Sequence, residues 1–371
     1  MLTKNINFKN FAYKKKNNIK NIFNEIKKNY FLGKEKLLLS LSDQYKYSFD
    51  LKSLSRIKKF STYRVIGMGG SILGAEAIYN FLKFKIKKKF IFLNNIKSGV
   101  DKKTKKNILN LIISKSGNTL ETIVNLNSQK ISRNCIFITE NKKNYLRKIA
   151  QKMKCEIFEH KNYIGGRYSV LSEVGMLPAE LMGLNEKKFK QFNYLIKNKK
   201  FIFNLINNVE AILQCVKRGK SNSIILNYDK DSLSLFYWYQ QLVAESLGKK
   251  SKGILPIVSQ MPKDNHSVMQ LYLDGPKNNF FTFFDTFNQN SEKIYKSNLL
   301  KSHLYLKNKS INEIIFAQRL ATEKIFKKKK IPFRSFFVKK KNEQTLGELF
   351  CFFILETILL GRALRVNPFD Q

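Results

Sequence analysis

Cysteine is sparse in this sequence. The four residues, Cys135, Cys155, Cys215 and Cys351, share no paired spacing, so neither a zinc site nor a disulfide framework is indicated. Long apolar runs are missing too. The longest, 349–360, is too short for a bilayer and contains Glu356, which predicts a buried helix and no membrane partner. The N-terminus is polar and lysine-rich without an apolar signal core, so a cytoplasmic protein is expected. Histidine is limited to His160, His266 and His303, and arginine to ten residues. Negative charge is also short: 27 Asp and Glu stand against 69 Lys and Arg, a net charge of +42. Such an excess fits nucleic acid or an anionic membrane. Here, however, the lysines are scattered in runs such as Lys14-Lys15-Lys16, Lys87-Lys88-Lys89 and 327–330, amid abundant Asn, Ile and Phe. That mixture reads as drift of surface positions in an AT-rich genome, and nucleic acid is not expected as a partner.

What is present is enough for a large core. With 371 residues, 43% hydrophobic and 26% charged, the chain should fold as two globular domains. Residues 1 to about 40 read as a helical, lysine-rich peripheral arm. Strand-like runs follow at 62–66, 90–93, 108–113, 135–139 and 156–159, separated by helical patterns such as 71–84 and 119–128. A second series begins near residue 200, with helices at 203–216, 233–247, 312–326 and 343–360 and strands at 223–227, 280–285 and 333–338. Alternating strands and helices predict an α/β chain with mostly parallel sheets flanked by helices.

Three glycine-bearing stretches stand out: Gly67-Met68-Gly69-Gly70-Ser71, Ser114-Lys115-Ser116-Gly117-Asn118-Thr119 and Gly165-Gly166-Arg167. In the first two, an apolar strand breaks into small and hydroxyl residues before a helix. Such turns aim backbone N–H groups and a partial positive charge at an anion, and predict a phosphate cradle beyond the carboxyl ends of the strands. Asn118 and Glu121 have the spacing of a capping box for the second helix. Gln241 and Glu245 are four apart and therefore share a helix face. Their apolar neighbours predict a desolvated carboxylate with a raised pKa, suited to a general base. Arg167, flanked by glycines that allow close approach, is a candidate oxyanion stabiliser. His266, between Asp264 and Ser267 in a polar loop, is a candidate catalytic residue as much as a structural one; His160 and His303 read as surface residues. Any one of these pieces has a bland alternative, such as a solvated helix face or a glycine turn with an exposed arginine.

Taken in order, Gly69-Gly70-Ser71-Ile72-Leu73-Gly74, the 114–122 run, Gly165-Gly166-Arg167-Tyr168-Ser169 through Leu177-Pro178-Ala179, 241–249 and His266-Ser267 resemble the glucose-6-phosphate isomerases over roughly residues 45–371. The resemblance implies two sugar-isomerase (SIS) domains of flavodoxin-like plan, here 45–195 and 196–342, after an N-terminal arm (1–44) and before a C-terminal helix and tail (343–371). It implies a glycolytic and gluconeogenic enzyme that interconverts glucose 6-phosphate and fructose 6-phosphate without cofactor or metal, as a homodimer with shared active sites. Carried over by resemblance, Gly70, Ser71, Ser114, Lys115, Ser116 and Thr119 hold the phosphate. Glu245 moves the proton between C2 and C1 through a cis-enediol, Arg167 stabilises the enediolate and Gln241 orients the substrate. His266, supplied by the neighbouring subunit in the family, assists ring opening.

Two departures accompany the resemblance. Ser116-Gly117-Asn118-Thr119 replaces the Thr-Phe-Thr of many isomerases and is closer to SIS proteins in general, including bifunctional phosphoglucose/phosphomannose isomerases. The family's C-terminal lysine falls beyond Gln371, so a clipped chain or catalysis without that lysine is expected. The competing readings are the bifunctional isomerase and a non-catalytic SIS sugar-phosphate sensor. The sensor would need the cradle but not Glu245, Arg167 or His266.

Overall fold

The computed structural model describes residues 1–12, 18–50, 53–96, 108–129, 131, 134–287, 291–295 and 300–370; Lys14-Lys15-Lys16 and Gln371 fall outside them. The first half of the chain forms β1 (Ile6–Lys9), α1 (Asn18–Phe31), α2 (Lys36–Leu39), β2 (Thr62–Ile66), α3 (Leu73–Phe81), β3 (Lys89–Leu93), β4 (Ile108–Ile113), α4 (Leu120–Ser128), β5 (Cys135–Thr139), α5 (Tyr145–Lys152), β6 (Glu156–Glu159) and α6 (Glu173–Leu181). The second half forms α7 (Phe192–Leu195), α8 (Lys199–Lys217), β7 (Asn222–Asn227), α9 (Leu233–Leu247), β8 (Leu255–Gln260), α10 (Met269–Asp274), β9 (Asn279–Thr286), α11 (Ile311–Lys328), β10 (Phe333–Val338) and α12 (Glu343–Ala363).

The strands make two five-stranded sheets, ordered β3-β2-β4-β5-β6 and β8-β7-β9-β10-β1. The first is parallel throughout, with β2 between β3 and β4. The second is parallel from β8 to β10 and closes with β1 antiparallel. Both sheets run second, first, third, fourth, the flavodoxin-like order, which reverses direction beside its first strand. β4 and β5 are buried at every position, as strands covered on both faces require. In α12, residues 345–361 are all buried, the mark of a helix enclosed on every side. No helix is long and apolar enough to cross a membrane among the described residues.

One hydrophobic core joins the two sheets through α3, α6, α9 and α12. The N-terminus belongs to it, which corrects the expected peripheral helical arm. β1 pairs with β10, and Leu2, Ile6, Ile19, Phe23 and Ile26 are buried there. The short alternation of Ile6–Lys9 is a strand's pattern, and its antiparallel pairing covers an edge that would otherwise stay open. The expected capping box is corrected as well. The N-cap of α4 is Thr119 and no side chain caps it. Asn118 Oδ1 instead accepts from the Tyr145 N–H at 3.0 Å, tying the loop after β4 to the start of α5.

Candidate active site

β2 and β4 are parallel neighbours, so the loops that leave them emerge at the same edge of the first sheet, at its change of direction. Here the two glycine-and-hydroxyl bends open onto one cavity of about 460 Å³. Met68, Gly70 and Ser71 line it from the first bend, and Lys115, Ser116 and Thr119 from the second. Gly117 takes a positive φ of +68°, and a Cβ there would lie 2.1 Å from Asn144 Oδ1, so the tight bend needs glycine. Ser114 does not line the cavity, contrary to its expected place on the phosphate. Only 1% exposed, its Oγ accepts from the Gly117 N–H at 3.1 Å and lies 2.8 Å from the Thr119 hydroxyl. It braces the bend from below, because its hydroxyl is taken up by the bend's own Gly117 and Thr119.

Glu140 and Lys142, which follow β5, complete this end of the cavity and were not singled out from the sequence. Their signal was positional: the loop after a third adjacent parallel strand must reach the same edge. The Lys115 ammonium is 3.6 Å from Glu140 Oε1 and Lys142 pairs with Glu140 Oε2, so two cations share one carboxylate. The surplus positive charge, with three hydroxyls around it, makes this an anion-binding end.

The opposite wall comes from α9 and the 165–167 segment. Gln241 and Glu245 do share one face of α9: Gln241 Nε2 donates to Glu245 Oε2 at 3.0 Å. The Gln241 amide also packs over Gly69, where a Cβ would approach its Nε2 to 2.6 Å. Gln241 Oε1 is buried without a hydrogen-bond partner, an acceptor at the cavity wall. Apolar enclosure of Glu245 was the expectation; a cation faces it instead. Arg167 Nη1 donates to Glu245 Oε1 at 2.9 Å, with the arginine side chain 1% exposed and the glutamate 25%. The pair aims the carboxylate into the cavity and puts a fixed cation beside any oxygen that gains charge there.

Seven of the expected binding and catalytic residues other than His266 and Ser114 therefore converge with Gly70 on one cavity. His266 does not. It closes the exposed turn Lys263–His266 and lines no part of this cavity, while Ser267 Oγ and Gln260 N–H donate to Asp264 beside it. His160, expected at the surface, is 1% exposed, with Nδ1 3.1 Å from the Lys161 carbonyl. It is buried because β6 ends at Glu159 and the chain turns inward beside Thr139.

Comparison with known proteins bears on the family and the fold. The phosphoglucose isomerase family model matches residues 55–371. A glucose-6-phosphate isomerase of Methanocaldococcus jannaschii is 32% identical over 345 residues, 88% of this chain and 84% of that one. One from Mycoplasmopsis synoviae is 32% identical over 338 residues, 83% of this chain and 78% of that one. A hypothetical protein of Thermus thermophilus shares the fold with a TM-score of 0.82 at 22% identity, covering 95% of this chain and 91% of its own. A glucose-6-phosphate isomerase of Chlamydia trachomatis does so at 0.69 and 21% identity, over 86% and 70%. The family match and the identity to the curated relatives together decide the matter: this chain belongs to the phosphoglucose isomerase family.

Proposed function

We infer that the chain interconverts glucose 6-phosphate and fructose 6-phosphate, an aldose–ketose isomerisation. The observation that carries this reading is the convergence, in one cavity, of an anion-binding end with an ion-paired Glu245 and Arg167. We assign the phosphoryl group to Ser71, Lys115, Ser116 and Thr119, with Gly70 giving it room. Gln241 Oε1, which lacks a partner, accepts from a sugar hydroxyl. Glu245 then takes the C2 proton of the open-chain aldose and returns it to C1. As Glu245 is neutralised, negative charge appears on the substrate oxygen, and Arg167 exchanges one anionic partner for another. The guanidinium is never without a counter-charge, which lowers the barrier to the enediolate. The chemistry needs a base, an oxyanion stabiliser and an acid for ring opening. The acid we assign is His266, delivered across a homodimer interface to the cavity of the neighbouring copy; its exposed turn suits that role. A cytoplasmic place in glycolysis and gluconeogenesis follows from the same reading.

A coupled assay with purified protein, following glucose 6-phosphate formed from fructose 6-phosphate with mannose 6-phosphate as comparison, tests the activity directly. Glu245→Gln should lower kcat by about 10³-fold while leaving affinity for a phosphate-bearing competitor nearly unchanged, because only the base is lost. Near-parental turnover in that variant would remove Glu245 as the base.

A further inference from the structure

The guanidinium of Arg167 is held by more than Glu245. An arginine has five N–H donors. Nε donates to Ser246 Oγ at 2.8 Å, Nη1 to Glu245 Oε1 at 2.9 Å, and Nη2 to the Pro368 and Asp370 carbonyls, each at 2.7 Å. A single N–H, on Nη1, is left to face the cavity. The Tyr168 hydroxyl lies 2.8 Å from Ser246 Oγ and donates to the Pro368 carbonyl at 3.0 Å. Since Ser246 accepts from Arg167 and Tyr168 donates to Pro368, the serine proton must point to the phenol. The result is a closed ring of hydrogen bonds in which the guanidinium donates at both ends, through Nε to Ser246 and through Nη2 to the Pro368 carbonyl. Burial pushes the Tyr168 phenol up to about 12, so the proton that this ring requires stays in place.

The turn that supplies the carbonyls is itself fastened. Lys249 Nζ donates to the Asn367 carbonyl at 2.7 Å and also to that of Asp370. Phe369 lies 5.7 Å from the Tyr168 ring and lines the cavity, and Pro368 packs onto Gly361 of α12. Arg167 is thus set from three directions: the 165–167 segment, the end of α9 and the turn that follows α12.

We propose that Ser246, Tyr168 and the 367–370 turn, latched by Lys249, are positioning elements that hold Arg167 with one N–H free for the enediolate oxygen. The proposal rests on the isomerase reading above. None of these groups is a catalytic residue; each acts through the guanidinium. Their loss should therefore weaken transition-state binding and spare the ground state.

The test compares Ser246→Ala, Tyr168→Phe and Lys249→Met with the parent protein. Three quantities are read: kcat, KM, and the affinities for two ligands. One ligand is an arabinonohydroxamate phosphate, which imitates the enediolate, and the other is arabinitol phosphate, which does not. Ser246→Ala and Tyr168→Phe should lower kcat about ten- to a hundredfold with KM held within about twofold. Hydroxamate affinity should fall in proportion and arabinitol phosphate affinity should hold. Lys249→Met, altering a more exposed side chain outside the ring, should give a smaller loss of the same kind, and Ser246→Thr should recover activity lost in Ser246→Ala. Equal losses for both ligands, or kcat within about twofold of the parent in Tyr168→Phe and Lys249→Met, would overturn the proposal even if Ser246→Ala failed to fold. An inactive parent would instead bring down the isomerase reading itself, whereas an active parent with unaffected variants removes the clamp alone.

Discussion

A methyl group on Gly70 would stand 2.2 Å from the carbonyl carbon and oxygen of Gly166 and 2.5 Å from the Arg167 nitrogen. All three are backbone atoms, so no side chain can swing aside. The bend after β2 and the segment that bears Arg167 therefore touch only because this position carries a hydrogen. Gly70→Ala should force the two segments apart, with a loss of about 2–4 kcal/mol in stability. A displacement near 1 Å at Arg167 should also cost about 10²-fold in kcat/KM. Chemical denaturation and the coupled assay on the same preparation check both numbers, and a fully active, fully stable variant would show that the contact yields. At this scale the sequence is a good guide where chemistry depends on a fixed local spacing. Gln241 and Glu245 share a face because a step of four is only slightly more than one helical turn of about 3.6 residues, and Arg167 is marked by its glycines. It misleads where a hydroxyl is taken up by its own bend, as at Ser114, and it is silent where a partner is a backbone carbonyl 200 residues away, as at Pro368.

Among the elements, those buried on both faces were legible. The apolar runs of β4 and β5 and the largely buried α12 appear in the sequence with their ends nearly correct. β8 was not found, since Pro256 interrupts its pattern; a proline is tolerated because β8 is an edge strand. β1 escaped notice because four residues carry little periodic signal, and its strand state is supplied by β10. The end of β6 hides a further consequence, at His160. Burial is the main cause that pushes its imidazole down to about 4, partly offset by the Lys161 carbonyl; Lys115 lowers it further and Glu140 opposes that. Because a carbonyl only accepts, Nδ1 carries the proton of the neutral ring, and the buried Nε2 has no partner. An unfolded histidine titrates near 6.5. Between about 4 and 6.5 the unfolded chain binds the extra proton and the native chain does not, so stability at this site rises with pH and is lost on acidification. Urea midpoints across that window should fall more steeply for the parent protein than for His160→Gln. Parallel profiles would mean that this imidazole titrates alike in both states.

Across the whole molecule, the site depends on how α9 is seated between the two sheets. One face of α9 presents Gln241 and Glu245 to the cavity, and the other presents Tyr239 to a fully buried polar cluster. There Arg334 of β10 forms an ion pair with Glu356 of α12, each with no exposed side-chain surface. Arg334 Nε donates to Thr282 Oγ1 at 2.9 Å and Nη1 to Asn208 Oδ1 at 2.9 Å, while Asn208 Nδ2 donates to Glu356. The Tyr239 hydroxyl donates to Glu356 Oε1 at 2.9 Å and accepts from Arg334 Nη2 at 3.2 Å. Five elements, α8, α9, β9, β10 and α12, meet on these groups, and α12 leads directly into the turn that holds Arg167. Taking two charges out of water is costly, so the pair adds little net stability, but breaking it strands the remaining charge. Arg334→Met should therefore destabilise by about 3–5 kcal/mol. Arg334→Met with Glu356→Leu should recover most of that loss, because no unpaired charge remains. Denaturation of both single variants and the double variant gives the coupling between the two positions. A double variant as unstable as the sum of the singles would mean that the pair holds the fold by packing and not by charge compensation. If the double variant refolds and keeps its turnover, α9 is seated by its apolar face alone, and the buried ions only select which helices meet there.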